Sequence, residues 1–289
     1  MKILITGSTG FIGSHLVHFF IGQKYDVVGT YRRKIKNQVI GCRYICIDLA
    51  KEDLEQEKFD CIIHCAGQVE DGITWDYIEN SILATNRLIF YCEQIQCEMI
   101  IFMSSISVYG ECSDYVDEDS DKKNLNDYAL CKVLCENMIR SSNIKNKYII
   151  RLSRILGDGG FESGGFLSKF SELLIKGEKV CYSNGNILYN NMFYISDLEK
   201  ICKMLIELKN EESYICVGVG AANPISLKEI IIKMKKYLNS QSELLEVSSN
   251  QTLTCHLINT KRLDEMGFEA MSVDETIYKF SKDALKRFK

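Results

Sequence analysis

The chain has 289 residues, 46% of them apolar and 26% charged, a balance that supports a sizeable buried core and excludes a disordered tail. With 35 Lys and Arg against 39 Asp and Glu the net charge is −4, so no global positive field is present to hold a nucleic-acid backbone or an anionic membrane. The 13 cysteines are odd in number and contain no CxxC pair, which predicts buried thiols in a reducing, cytoplasmic setting and neither a disulfide frame nor a metal site.

Lys2 to Thr6 is a short apolar run that glycines interrupt too early for a secretory signal or a membrane span. Similar runs with almost no polar alternation follow at Asp26 to Thr30, Arg43 to Ile47, Cys61 to His64, Met99 to Ser104 and Tyr148 to Leu152. That pattern marks strands buried on both faces. Amphipathic segments lie between them at Phe11 to Gln23, Trp75 to Gln96 and Asn126 to Ser141. Repeated strand–helix alternation predicts an α/β fold, a Rossmann-type doubly wound parallel sheet over residues 1–152.

Beyond residue 152 the rhythm loosens, and residues 153–289 read as a smaller α+β substrate-binding lobe, with a return to the first domain near 186–210. Its expected helices run from Phe166 to Lys176, Asp197 to Leu208, Ser226 to Leu238, Thr260 to Met266 and Val273 to Lys286. Short strands are expected near Lys179 to Tyr182, Met192 to Ile195, Tyr214 to Val219 and Leu253 to Leu257. Ligands of open parallel sheets sit beyond the carboxyl ends of the strands, so a cleft between the lobes is the expected site.

Gly7, Gly10 and Gly13 stand between the first strand and the first helix, with Thr9, Phe11 and Ile12 among them. Glycines there let a backbone approach a pyrophosphate, and the helix N-terminus offers free N–H groups and a favourable dipole. The end of the second strand reads Thr30, Tyr31, Arg32, Arg33 and lacks the carboxylate that would accept hydrogen bonds from an adenosine ribose. Two guanidiniums at that edge favour NADP over NAD, through charge-assisted bonds to a 2′-phosphate.

The GxxGxxG spacing resembles the extended short-chain dehydrogenase/reductase family, also called the NAD-dependent epimerase/dehydratase family, over nearly the whole chain. Further matches are Asp48 and Leu49, His64-Cys65-Ala66-Gly67, and Asn80. The resemblance implies that these residues meet the cofactor, Asp48 at the adenine. Ser104-Ser105-Ile106-Ser107-Val108-Tyr109-Gly110 is similar to the family's SSxxVYG, and Tyr128 with Lys132 fits its YxxxK. Four residues apart on a helix, these two share a face.

A phenol titrating near ~10 needs a nearby positive charge to exchange a proton at neutral pH. Lys132 supplies one and Tyr128 becomes the proton donor or acceptor, while the resemblance implies that Ser105 faces the reacting carbonyl. By the same resemblance Lys132 holds the nicotinamide ribose. Ile106 and Ser107 stand where hexose 4,6-dehydratases of the family carry an acidic pair, which disfavours elimination of water.

In the second lobe, Asn190 to Asp197 is similar to the family's RDFxYVxD, with Asn190 in place of an arginine that grips a nucleotide phosphate. Arg154 is a cation available elsewhere, and Ser105, Ser107, Arg154 and Asn190 form the expected substrate set. Gly157 to Gly165 is similar to the family's substrate loop. The expected function is NADPH-dependent reduction of a nucleotide-linked 4-keto-6-deoxyhexose. An NAD-dependent sugar-nucleotide epimerase is the alternative, and a non-catalytic dinucleotide sensor is a third reading that the intact triad disfavours. The partner is a small nucleotide sugar, with no nucleic acid or membrane, and the resemblance implies a homodimer.

Overall fold

The structure, a computed structural model, describes residues 1–33, 38–70, 72–111, 115–160, 164–208, 212–249 and 256–288. The first three residues of the strand expected at Leu253 to Leu257, and part of the Gly157 to Gly165 stretch, lie outside the described residues. Seven strands form one sheet: β1 (Lys2–Thr6), β2 (Asp26–Tyr31), β3 (Arg43–Cys46), β4 (Cys61–His64), β5 (Met99–Ser105), β6 (Asn146–Leu152) and β7 (Tyr214–Val219). Their spatial order is 7-6-5-4-1-2-3. Leu4 of β1 stands opposite Val28 of β2 and Ile62 of β4, both in parallel register.

This is the doubly wound Rossmann-type sheet that the strand–helix alternation predicts. β7, which pattern alone leaves in the smaller lobe, is an edge strand of it. The N–H of Lys147 donates to the carbonyl of Ser213 at 2.9 Å and that of Ser153 to Val219 at 3.3 Å, so both chains advance in step and run parallel. Sheet growth reverses between β1 and β4, which opens a crevice at their carboxyl ends.

By contacts the chain divides into two units, the first comprising 1–111, 121–151 and 199–216 and the second 112–120, 152–198 and 217–289. Residues 186–198 go to the second unit because Met192–Tyr194 pairs in parallel with Arg154–Leu156. Residues 115–116 go there because they pair with Leu257–Ile258. The core of the second unit is built by the helices Phe166–Lys176, Leu227–Tyr237 and Val273–Arg287, through residues such as Leu167, Leu174, Ile230, Met234, Ile277 and Phe280. The expected helix start at Ser226 is a capping box, the Ser226 hydroxyl accepting from the Glu229 N–H while the Glu229 carboxylate accepts from the Ser226 N–H. Among the described residues no helix is long and apolar enough to cross a membrane.

In the first unit the helix Phe11–Gly22 buries Gly13, Leu16, Val17 and Phe20, the spacing of one helical face. Seven of the eleven described cysteines are buried, as small apolar side chains are. The segment expected as one helix from Trp75 is in three pieces: α-helix at Thr74–Tyr77, a π-helical stretch at Ile78–Leu83 and α-helix at Ala84–Gln94. The π-stretch aims Ser81 back at the loop after β4, where its hydroxyl accepts from the Gln68 N–H at 2.9 Å.

One buried chain of hydrogen bonds ties β1 to β4. The Thr6 hydroxyl accepts from the N–H groups of Cys65 and Ala66, each at 3.1 Å, and lies 2.7 Å from Nδ1 of His64. With both lone pairs engaged, Thr6 has only its proton left to offer, so Nδ1 is the acceptor. His64 therefore carries its proton on Nε2, which donates to the Thr85 hydroxyl at 3.1 Å. Burial, assisted by the charge of Lys132, pulls the imidazole from 6.5 down to about 3, so the folded protein holds it neutral.

Stability therefore depends on pH with a definite sign. Between pH 6.5 and 3 the unfolded imidazole takes up a proton that the folded one refuses, so stability falls as pH falls through that window. Denaturant unfolding from pH 7 to pH 4 is expected to show a shallower decline in His64→Asn than in the natural protein. Parallel slopes in the two proteins would show that the imidazole is not held neutral.

Candidate active site

The glycine turn is shaped by the protein at two positions and left open at the third. Gly7 has φ +63°, and a Cβ on it would lie 2.9 Å from the backbone nitrogen of Ala66. A Cβ on Gly13 would lie 2.2 Å from the Gly7 carbonyl oxygen. Both must be glycine for the turn, the helix and the loop after β4 to meet. Gly10 is exposed, and a Cβ there would meet only the Gly7 oxygen, at 3.3 Å. The space before Gly10 thus faces the helix N-terminus, where the first-turn N–H groups of Phe11, Ile12 and Gly13 have no intrahelical partner. That cradle fits the pyrophosphate of a dinucleotide.

An open cleft of about 260 Å³ starts at this turn. Gly7 and Thr9 form one wall, Tyr31, Arg32 and Arg33 the edge at the end of β2, and Asp48 with Leu49 the end of β3. Ala66, Gly67 and Asn80 complete the set of expected residues lining it. Thr30, Ile47, Ala50 and Ala84 line it as well and were not among the residues expected from sequence. Ile47 and Ala50 directly flank the Asp48-Leu49 pair, a signal that was available. Arg32 donates to the side-chain oxygen of Asn80, so the π-stretch holds this guanidinium at the cleft edge. The Asp48 carboxylate accepts from the Ala50 N–H at 3.1 Å. Cys65 turns its N–H to Thr6, and burial pushes its thiol up to about 12, which keeps it protonated.

Ser105, Tyr128 and Lys132 come together in the first unit. Ser105 ends β5 and caps the 3₁₀ turn Ile106–Tyr109, its hydroxyl accepting from the Ser107 N–H at 3.1 Å and lying 3.0 Å from the Ser107 hydroxyl. Tyr128 and Lys132 lie on the helix Asp127–Ser141, started by Asn126, whose side chain accepts from the Ala129 N–H at 2.8 Å. Burial raises the Tyr128 phenol and a hydrogen bond from Ser105 offsets part of that rise. Lys132 donates to the Met103 carbonyl at 2.8 Å and stands 4.9 Å from the Phe102 ring centre. Burial lowers its pKa, and the carbonyl and the ring face compensate the ammonium. Its Nζ is 5.8 Å from the centre of the Tyr128 ring.

The two substrate candidates of the second unit are engaged differently. Asn190 is buried, and its amide both donates to the Ile258 carbonyl and accepts from the Ile258 N–H, each at 2.8 Å. Its side chain thus clamps a β-strand. Arg154 lays its guanidinium 4.9 Å over the Phe166 ring.

A glycine turn after β1 and a Ser-Tyr-Lys group at the end of β5 of a Rossmann-type sheet are the marks of a short-chain dehydrogenase/reductase of the extended type. The chain belongs to the NAD dependent epimerase/dehydratase family, whose profile matches residues 3–218. It is 25% identical over 268 residues to human dTDP-D-glucose 4,6-dehydratase, covering 84% of this chain and 76% of that one. Among solved structures it is similar to UDP-glucuronic acid 4-epimerase from Bacillus cereus in complex with NAD, with a TM-score of 0.82, 21% identity and all of both chains covered. UDP-glucose 4-epimerase from Thermotoga maritima with UDP-glucose gives 0.83 at 17% identity, again over all of both chains.

The glycines separate folding from binding. Gly13→Ala is expected to lose stability by about 1–3 kcal/mol, since the new carbon has no room against backbone. Gly10→Val, which crowds the Gly7 oxygen and weakens the helix cap, is expected to stay folded with a modestly lower melting temperature yet to lose dinucleotide binding in a fluorescence titration. Unchanged affinity in Gly10→Val would remove the pyrophosphate from this turn.

Proposed function

We propose that the protein is a nicotinamide-dependent oxidoreductase of a nucleotide-linked sugar, and that it works as an NADPH-dependent reductase of a 4-keto hexose. The observation that carries the reading is the convergence of Ser105, Tyr128 and Lys132 beside the cleft that begins at the glycine turn. The nicotinamide, when bound, supplies or takes up the hydride. Tyr128 gives a proton from its phenol oxygen to the carbonyl oxygen in the reducing direction, or takes one from the hydroxyl in reverse. Ser105 hydrogen-bonds the same oxygen, with Ser107 as partner for its hydroxyl, and the buried ammonium of Lys132 favours the phenolate.

Cofactor choice rests on Arg32 and Arg33, which line the cleft where a carboxylate would select NAD, with Arg32 already held by Asn80. An epimerase using NAD is the second reading, favoured by the NAD bound in the Bacillus cereus neighbour. Likeness to a 4,6-dehydratase does not extend to Ile106 and Ser107, neither of which moves a proton as an acidic residue does. For the substrate, Arg154 is the proposed phosphate contact, whereas Asn190 has its amide committed to Ile258. Leu83, Phe90, Leu130 and Leu134 are exposed on the two helices nearest the triad, and a homodimer through them belongs to the proposal. So does a reducing, cytoplasmic setting.

Tyr128→Phe is expected to lower kcat by about 10²–10⁴-fold while leaving the dinucleotide Kd within a few fold, because the phenol oxygen moves a proton and adds little ground-state binding. Retention of a tenth or more of the turnover would overturn the role. A second measurement decides the cofactor. Fluorescence titration is expected to show tighter binding of NADPH than NADH, a gap that narrows with salt and closes in the Arg32→Ala, Arg33→Ala double variant. NAD that survives purification, with no selectivity for the 2′-phosphate, would make the epimerase the better reading.

A further inference from the structure

Beneath the triad lies an ion pair with only 4% of each side chain exposed. Arg151, on β6, donates from Nη2 to Oε2 of Glu136 at 3.0 Å and from Nε to Oε1 at 3.1 Å. Oε1 also accepts from the Ser104 hydroxyl at 2.5 Å, and Nη1 of Arg151 reaches the Tyr109 hydroxyl at 3.3 Å. Apolar side chains of similar volume commonly stabilise such a position as well or better, so stability alone gives no reason for a pair here.

Its place in the fold gives one. Tyr128, Lys132 and Glu136 follow one another at four-residue spacing along one face of the helix Asp127–Ser141. Two consecutive residues of β5 hold two of them, the carbonyl of Met103 accepting from Lys132 and the hydroxyl of Ser104 donating to Glu136, and Ser105, next in the strand, stands near enough to the Tyr128 phenol to lower it. Tyr109, at the other end of the pair, closes the 3₁₀ turn that Ser105 caps. Ser105 is thus the chain neighbour of Ser104, and Lys132 and Tyr128 lie one and two helical turns from Glu136. The planar fork of Arg151 fixes both the distance and the rotation of the Glu136 carboxylate, which a single contact would not.

We propose that Glu136 and Arg151 are positioning residues, a buried strut that sets the catalytic helix in register with the end of β5 so that Tyr128 meets Ser105. The inference rests on the triad having the role given above. Neither residue touches the reacting atoms. Loss of the strut leaves the three side chains in place in sequence but loosens the contact between Tyr128 and Ser105.

The experiment replaces both partners, Glu136→Met with Arg151→Met, so that no charge is left buried alone. The double variant is expected to melt at or above the temperature of the natural protein. Its kcat for the nucleotide sugar is expected to fall by about 10²-fold, with KM and the dinucleotide Kd within about threefold.

A second readout needs no turnover. In protein labelled with ¹³Cζ-tyrosine, the Tyr128 resonance, assigned by its loss in Tyr128→Phe, is expected to titrate at higher pH in the double variant. The groups facing the phenol are Ser105, Glu70, Cys131 and Lys132, and only the Ser105 bond, which lowers the phenol, is loosened. A stable double variant with natural kcat and natural Tyr128 titration would overturn the proposal. If the double variant does not fold, Arg151→Lys, which keeps the charge and loses the fork, is read by the same two measures and with the same outcomes. Absence of turnover in the natural protein with any nucleotide sugar would remove the enzymatic reading, whereas the titration would still decide the strut.

Discussion

The backbone of Gly7 approaches that of Cys65 and Ala66 more closely than any side chain permits, and the cleft proposed for the dinucleotide is arranged around that approach. Thr6, one residue earlier, accepts from the same two N–H groups with its hydroxyl and donates a hydrogen bond to Nδ1 of His64. The turn after β1 and the loop after β4 are thereby fixed together at the point where the sheet reverses its direction of growth. Pre-set geometry of this kind spares the site the ordering cost that binding would otherwise impose on two loops.

Buried charge inside the first unit is handled in three different ways. His64 is held neutral, since an imidazolium would be buried next to Lys132. Lys132 stays compensated by a carbonyl and an aromatic face. Arg151 and Glu136 are paired through a bidentate fork, and the Ser104 hydroxyl donates to the same carboxylate. In a medium of low effective dielectric these arrangements are mutually dependent, because removing one partner leaves the other uncompensated.

Two side chains at these sites are fixed by the packing around them. Arg32 and Arg33 line the cleft edge, and the hydrogen bond from Arg32 to Asn80 orients the first guanidinium along it. Asn190 is committed to the fold, its short amide matching the N–H and C=O of Ile258 as a neighbouring strand would. An arginine could not make that clamp, since it has no acceptor.

The sequence by itself determined the elements whose pattern is local. β1 and β4 are continuous apolar runs, the helix from Phe11 shows its buried face at the right spacing, and Ser226 announces its helix because a cap acts within three residues. The glycine turn and YxxxK were legible for the same reason. Tertiary structure alone decided the rest. Arg151 reads as one more residue of an apolar strand and Glu136 as one more charge on an amphipathic helix. Only the packing of β6, β5 and the helix Asp127–Ser141 puts them within 3.1 Å of each other. The same holds for Asn190 and Ile258, 68 residues apart, and for β7 at the sheet edge. Pairings across such distances depend on how already formed elements stack, and a one-dimensional pattern carries no term for that.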